Sequence, residues 1–147
     1  MKLHIGCFAL MLLILSGSDL AAENQQLPVV PYPQEVVFKK GSFSLSKETV
    51  SVRLSGVEGK SAEIIKEQLS AAFLEKYGAK LIQEENDRPT LWIGLPSSNE
   101  DLMAMASKLK MVPDASIGDE GYLLKVEKKH IYILANTPAG AFMVYRL

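Results

Sequence analysis

Hydrophobic and polar residues alternate along several short stretches of this chain. The clearest are residues 50–54 and 90–95, in which every second residue is apolar. Two further runs, 122–126 and 131–135, flank a short polar turn near the C-terminus. A period of two predicts strands with one side toward a core, and the last two runs predict a β-hairpin. The pattern at 36–45 predicts another pair of strands joined at a glycine.

Apolar residues at helical spacing mark three other segments. Residues 61–77 carry an apolar stripe with charged residues beside it, and Gly78 follows as a residue type that commonly ends helices. The stripe consists of Ala62, Ile65, Leu69, Ala72 and Phe73. Ser98 and Asp101 resemble a capping box that opens a second helix. Thr137, followed directly by proline, offers the N-cap oxygen of a third helix.

The order of these elements predicts the fold class. We expect an α+β domain in which helices pack on one face of a small, mostly antiparallel sheet, giving a two-layer sandwich. The predicted organisation is a signal peptide at 1–22, a proline-rich lead at 23–34, the α+β domain at 35–137 and the start of a helix at 138–147. The 147 residues are enough for one domain with its own core.

The N-terminus has the composition of a secretory signal. Lys2 is followed by an apolar stretch at 5–15 and by small residues up to Ala22, where we expect cleavage. An apolar run of about eleven residues is too short to anchor the chain across a bilayer. The chain's one cysteine, Cys7, lies in this segment, so the mature chain would have no disulfide and no thiol nucleophile. The expected location is secreted or periplasmic.

The charge balance narrows the choice of partners. Sixteen Lys and Arg residues oppose 17 Asp and Glu residues, for a formal net charge of −1, and the two signs are interspersed. A nucleic-acid-binding domain would concentrate positive charge on one face. We therefore expect no nucleic-acid partner and no membrane association after the signal is cleaved.

Adjacent carboxylates at Asp119 and Glu120 are the most suggestive chemical feature. Paired carboxyl groups perform the acid and base steps in many glycosidases. Neighbouring residues in an extended chain point in opposite directions, however, and glycines flank this pair on both sides. We interpret the pair as part of a turn that leads into a strand.

The remaining candidates have structural interpretations as well. His130 is interpreted as an exposed strand residue, and Trp92 as a core residue, with stacking on a sugar as the alternative. The polar run 97–99 is typical of a helix N-terminus. The sequence lacks a phosphate-binding glycine loop and a zinc-ligand pattern. It therefore predicts no catalytic residue, no metal ligand and no cofactor.

Three pieces of the chain, taken in order, resemble the N-terminal accessory domain of bacterial β-N-acetylhexosaminidases, glycoside hydrolase family 20. The first is Val-Pro-Tyr-Pro-Gln at 30–34 with Gly-Ser-Phe at 41–43, which is similar to the family's opening. The second is Gly-Asp-Glu-Gly-Tyr-Leu-Leu at 118–124, similar to its penultimate strand. The third runs from 131 to 142 and is similar to its last strand and outgoing helix.

This resemblance implies a non-catalytic domain of a secreted, glycan-degrading enzyme. A catalytic (β/α)₈ barrel in the same polypeptide would follow the last helix and carry the Asp-Glu pair for hydrolysis of terminal N-acetylhexosamine. Asp119 and Glu120 do not match that pair, because they fall in the accessory domain's own motif. Met143 and Arg146 depart from the family's usual continuation. The parent enzyme could therefore also be a family 84 hexosaminidase or an α-glucuronidase, which carry related domains. The rival is a free-standing secreted module that binds carbohydrate or protein.

Overall fold

A five-stranded mixed sheet forms the centre of the domain in the computed structural model, which describes residues 34–37, 39–45, 49–83 and 89–143. The strands are β1 (Thr49–Ser55), β2 (Lys80–Ile82), β3 (Thr90–Gly94), β4 (Tyr122–Val126) and β5 (His130–Ala135). Their order across the sheet is β2-β1-β3-β5-β4. β1 is parallel to β2 and β3, and β3 is parallel to β5, whereas β4 runs antiparallel to β5.

Three α-helices connect or follow these strands. They are α1 (Gly59–Tyr77), α2 (Glu100–Leu109) and α3 (Pro138–Phe142), with short 3₁₀ turns at Pro96–Ser98 and Ala115–Ile117. α1 ends as predicted at Gly78, which adopts φ 65°. α2 is capped by Asn99, whose Oδ1 accepts the N–H of Leu102 at 3.0 Å. The prediction of Ser98 as the cap was wrong by one residue, because Ser98 ends the preceding 3₁₀ turn.

One side of the sheet packs against α1 and α3, and we call it the α1 side. Its strand residues include Val50, Val52, Leu91, Ile93 and Ile133. The buried stripe of α1 covers them, and Ala141 of α3 belongs to the same cluster. Ala62, Ile65 and Leu69 of the predicted stripe are buried, while Ala72 and Phe73 are partly exposed.

The opposite side of the sheet packs against α2, and we call it the α2 side. Leu102 and Ala106 of that helix join Tyr132 and Leu134 in a second buried cluster, with Trp92 packed against it. Because successive strand residues point to opposite faces, Ile133 and Leu134 anchor the two separate clusters. The inner strands of the sheet are therefore covered on both sides, whereas Leu124 and Val126 of the edge strand β4 are exposed.

The predicted α+β class is confirmed, but two details of the architecture were wrong. Three of the four strand pairings are parallel rather than antiparallel. The helices lie on both sides of the sheet and not on one. The physical reason is that α1 provides the long crossover connection that parallel strands require, while β4 and β5 need only a tight hairpin.

The segment before β1 also differs from its prediction. The described residues of 36–45 contain no strand, and Phe38 lies outside the described part of the chain. Phe43 and Leu45 pack against the α1-side cluster, and the N–H of Ser44 donates to the carbonyl of Lys128 at 3.2 Å. This segment therefore runs past the β4–β5 hairpin without joining the sheet. The predicted signal peptide and proline-rich lead fall almost entirely outside the described residues.

Candidate functional site

The strand order indicates where a ligand would bind in a sheet of this kind. In open parallel sheets the ligand crevice lies beyond the carboxyl ends of the strands, at the point where the strand order reverses. Here that point falls between β1 and β3. From β1 the chain passes through α1 to β2 at one edge of the sheet, and from β3 it passes through α2 to β4 at the other edge. The loops that meet there are residues 56–58 and 95–99.

Side-chain and backbone atoms of these two loops are in direct contact. The hydroxyl of Ser98 donates to the carbonyl of Leu95 at 2.7 Å and lies so close to Gly56 that a Cβ there would overlap it. The N–H of Leu95 donates to the carbonyl of Ser55 at 3.0 Å. The chain's own atoms therefore fill the centre of the crevice.

A groove of about 600 Å³ lies beside this point, along β1. β2 pairs only with residues 49–51 of β1. The C-terminal half of β1 therefore borders the groove on its β2 side, while its other side pairs with β3. Polar and apolar side chains both line it, among them Arg53, Lys66, Trp92, Asn99, Asp101 and Met105. This mixture of hydrogen-bonding groups and one aromatic ring makes the groove a candidate binding surface.

Trp92 is held by the protein on two sides. The residue is half-buried against the α2-side cluster, in agreement with its interpretation as a core residue. The guanidinium carbon of Arg53 lies 4.6 Å from the centre of its ring. A cation at this distance is attracted by the face of an aromatic ring. That face is therefore already occupied by the protein.

Asp119 and Glu120 lie in an exposed turn, as the sequence indicates. Asp119 contributes its main-chain carbonyl, which accepts a hydrogen bond from the hydroxyl of Thr137. Its contact with the rest of the fold is thus made by backbone. Two adjacent exposed carboxylates in a turn do not enclose a substrate, and the pair lacks the arrangement of an acid and a base across a cleaved bond.

His130 is half-buried, so its interpretation as an exposed residue was wrong. It projects on the α2 side from the inner strand β5, where its ring centre lies 5.8 Å from that of Tyr132. Its Nδ1 is buried and makes no hydrogen bond within the described residues. Burial and the charge of Glu127 raise the pKa of Tyr132 above its ordinary value. In the described ranges no three His, Cys, Asp or Glu residues are grouped so that they could hold a metal ion.

The C-terminal region contains a set of contacts that sequence reasoning missed. The turn at 118–121 lies against the start of α3 at 137–140, and we call this arrangement the C-terminal clasp. Both parts belong to the motifs quoted above, but nothing in the local pattern shows that they touch. The glycines at both places were the available signal, because glycine permits close approach of two backbones.

These features define a small structural domain with helices on both sides of its sheet and a crevice filled by its own loops. The comparison with known families then identifies it. The model of the family "Glycosyl hydrolase family 20, domain 2" matches residues 26–145, and the chain belongs to this family. Domain 2 of this family is an accessory domain, and it normally sits with a catalytic barrel in the same chain.

Solved structures were compared with the fold as well. One described as "Structure of CpGH84D" shares it, matching 80% of this chain at 17% identity with a TM-score of 0.61. A second, described as a GH138 enzyme targeting pectin rhamnogalacturonan II, matches 66% of the chain at 17% identity, with a TM-score of 0.45. The chain spans only 19% and 12% of these two structures. No curated protein matches the sequence significantly. None of the described helices is both long and apolar enough to span a membrane.

Proposed function

We propose that this chain is the non-catalytic N-terminal domain of an exported, β-N-acetylhexosaminidase-like glycoside hydrolase. In this proposal it buttresses a catalytic (β/α)₈ barrel that follows α3 in the full-length polypeptide. The observation that carries the proposal is the family match over residues 26–145, which covers all of the described elements.

The geometry supports a structural role over a catalytic one. Glycoside hydrolysis requires carboxyl groups placed on either side of a bound sugar. The Asp119–Glu120 pair is exposed in a turn, and the crevice between β1 and β3 is filled by Ser98. The acid and base would therefore come from the barrel. The contribution of this domain would be a sheet, with its inner strands buried on both sides, that holds α3 in a fixed position.

Export is the second part of the proposal. It is supported by Lys2, the apolar stretch 5–15 and the small residues that end at Ala22. The mature protein would begin near Glu23. Mass spectrometry of the exported product should show this N-terminus, and an intact N-terminus from Met1 in the periplasm or medium would contradict it.

A free-standing carbohydrate-binding module is the alternative function. The groove beside β1, with Trp92 and Asp101 in its lining, is the observation that favours it. The position of Arg53 over the ring of Trp92 argues against it, because a sugar that stacks on that face would have to displace the guanidinium group.

Activity assays separate these functions. The purified 147-residue chain should release no chromophore from an aryl N-acetyl-β-glucosaminide, and the product of the full reading frame should do so. Turnover by the short chain that survives repurification would overturn the proposal. So would a full-length protein that binds N-acetylglucosamine oligosaccharides through this domain alone and hydrolyses no glycoside.

A further inference from the structure

The C-terminal clasp ties α3 to a turn about twenty residues earlier in the chain. The hydroxyl of Thr137 accepts the N–H of Gly140 at 3.2 Å and donates its own proton to the carbonyl of Asp119. The side-chain amide of Asn136 donates to the carbonyl of Asp114 at 2.6 Å. Two consecutive residues after β5 therefore hold main-chain atoms of the same preceding loop.

Close backbone packing completes the clasp. Gly140 is buried, and a Cβ on it would collide with the carbonyl oxygen of Gly121 and approach Cβ of Ala135 to 3.0 Å. A Cβ on Gly121 would collide in turn with the carbonyl oxygen of Ile117. Gly140 therefore permits the close approach of α3 to the turn, and Gly121 permits the tight backbone of the turn itself.

The clasp matters because α3 has little stability of its own. The described helix contains only five residues, Pro138–Phe142, and helices much shorter than about 12 residues are marginal in water. Tyr122 and Phe142, which lie just beyond the two halves of the clasp, both pack against the α1-side cluster. The segments that follow the turn and the start of α3 are thus both anchored in the core, which fixes the direction of α3.

We propose that the clasp sets the direction in which the polypeptide leaves this domain, and that Thr137 and Gly140 are positioning residues for the part of the protein that follows. This inference rests on the proposed function, in which a catalytic domain follows α3. It assigns the glycine-rich turn and the Thr-Pro motif a mechanical role, distinct from sugar binding. Asp119 takes part through its carbonyl oxygen and not through its carboxylate.

The first test measures hydrogen exchange in the 147-residue chain. Thr137→Val removes both hydroxyl hydrogen bonds at nearly constant volume, and Gly140→Ala forces the layers apart. Each should raise exchange of the α3 amides by about tenfold, which is the effect of losing one or two hydrogen bonds, and leave β3 and β5 unchanged. Thr137→Ser should behave as wild type because it keeps the hydroxyl. Ser107→Ala, which removes an exposed hydrogen bond to Met103 in α2, is the matched control.

The second test uses the full-length protein and measures proteolysis and activity at the connection between this domain and the part that follows α3. Thr137→Val and Gly140→Ala should speed proteolytic cleavage after Met143 and lower kcat/KM several-fold. Thr137→Ser should match wild type in both the cleavage rate and kcat/KM. Faster exchange in α3 with unchanged cleavage and activity would overturn the positioning role, and unchanged exchange would overturn the clasp. If either variant unfolds the domain, Asn136→Ala, which removes the hydrogen bond to the carbonyl of Asp114, tests the clasp more gently. A parent without glycosidase activity would refute the proposed function, while exchange and cleavage would still report on the clasp.

Discussion

Arg53 and Trp92 face each other across the β1–β3 pairing, with the guanidinium carbon 4.6 Å from the centre of the indole ring. Both residues line the groove, and Trp92 also packs against the α2-side cluster. Trp92, the candidate residue for stacking on a sugar, is thus in cation–π contact with its cross-strand neighbour. The effect of removing Trp92 on folding stability can therefore be measured separately from its effect on sugar affinity.

The first prediction concerns this pair. Trp92→Ala should lower the free energy of unfolding by about 1–3 kcal/mol, since a half-buried aromatic residue loses its packing and its cation–π contact. Urea denaturation measures the loss, with the exposed Tyr77→Ala as the control. Titration with N-acetylglucosamine oligosaccharides should leave the tryptophan fluorescence of the wild-type chain unchanged. A saturable fluorescence change in wild type, together with calorimetric binding that Trp92→Ala abolishes while the chain stays folded, would favour the carbohydrate-binding alternative.

The second prediction tests the two-sided core. Ile133 and Leu134 are 2% and 0% exposed, on the α1 and α2 sides of the sheet respectively. Ile133→Ala and Leu134→Ala should each cost about 2–5 kcal/mol in chemical denaturation, because each leaves a cavity in a packed cluster. Val126→Ala, at a site that is 54% exposed, should change stability by less than about 0.5 kcal/mol. A sheet with helices on one face would make one of the two core substitutions as mild as the control.

The third prediction concerns the end of α2. Lys110 adopts φ 57° and ψ 43°, a left-handed conformation that costs energy in a residue with a Cβ. Lys110→Gly should therefore raise the free energy of unfolding by about 0.5–1 kcal/mol, after allowing for the greater flexibility of glycine in the unfolded chain. Lys108→Gly, inside the last turn of the same helix, should lower it by a similar amount. Thermal denaturation of both variants checks the sign, and a loss of stability in Lys110→Gly would contradict the argument.

The fourth prediction separates the carboxylates of Asp119 and Glu120 from their backbone. Replacing them with Asn and Gln in the full-length enzyme should change the turnover number by less than about tenfold, or about 1.4 kcal/mol of barrier. The reason is that both side chains are exposed in a turn and the clasp uses only the carbonyl of Asp119. A loss of several orders of magnitude, with the circular dichroism spectrum intact, would show that the pair takes part in chemistry.

The fifth prediction is a dependence of stability on alkaline pH. Burial, assisted by the charge of Glu127, raises the pKa of Tyr132 above its ordinary value of 10.0. The folded state thus holds this proton more tightly than the unfolded state. The resulting stability is fully present below pH 10.0 and is lost as pH rises through the folded-state pKa. Urea midpoints between neutral pH and strongly alkaline pH should fall less steeply in Tyr132→Phe than in wild type or in Tyr77→Phe.

Local features of the fold could be predicted from the sequence because their signals are local. The stop of α1 at Gly78, the β4–β5 hairpin and the cap of α3 at Thr137 each depend on residues close together in the chain, and each is confirmed. The two-sided burial of the sheet could not be inferred in this way. Ser51 and Thr90 occupy the polar positions of their alternating runs, yet they are 0% and 3% exposed. An alternating pattern predicts one buried face and one solvated face. In these strands both faces are buried, each in a different environment.

Contacts between distant residues were equally hidden. β2 has only three residues, too few to show a period, and its parallel pairing with β1 depends on the intervening helix. Ser98 contacts Gly56, and Thr137 contacts Asp119, although the members of each pair are far apart in the sequence. The family could be predicted from three short motifs, and the family match confirms it. The filled crevice and the clasp required the three-dimensional structure.

The position of β3 in the sheet constrains how the domain is made. β3 lies between β1, which precedes it in the chain, and β5, which is the last described strand to be synthesised. β4 has no described strand partner except β5. A nascent chain that ends before β5 consequently lacks the strand that joins β4 to the rest, and the α2-side cluster is without Tyr132 and Leu134. Because β3 and β5 are far apart in the chain, we expect the sheet to be completed only after β5 has been synthesised. Truncations that remove β5 should accordingly yield unfolded protein and not a smaller domain.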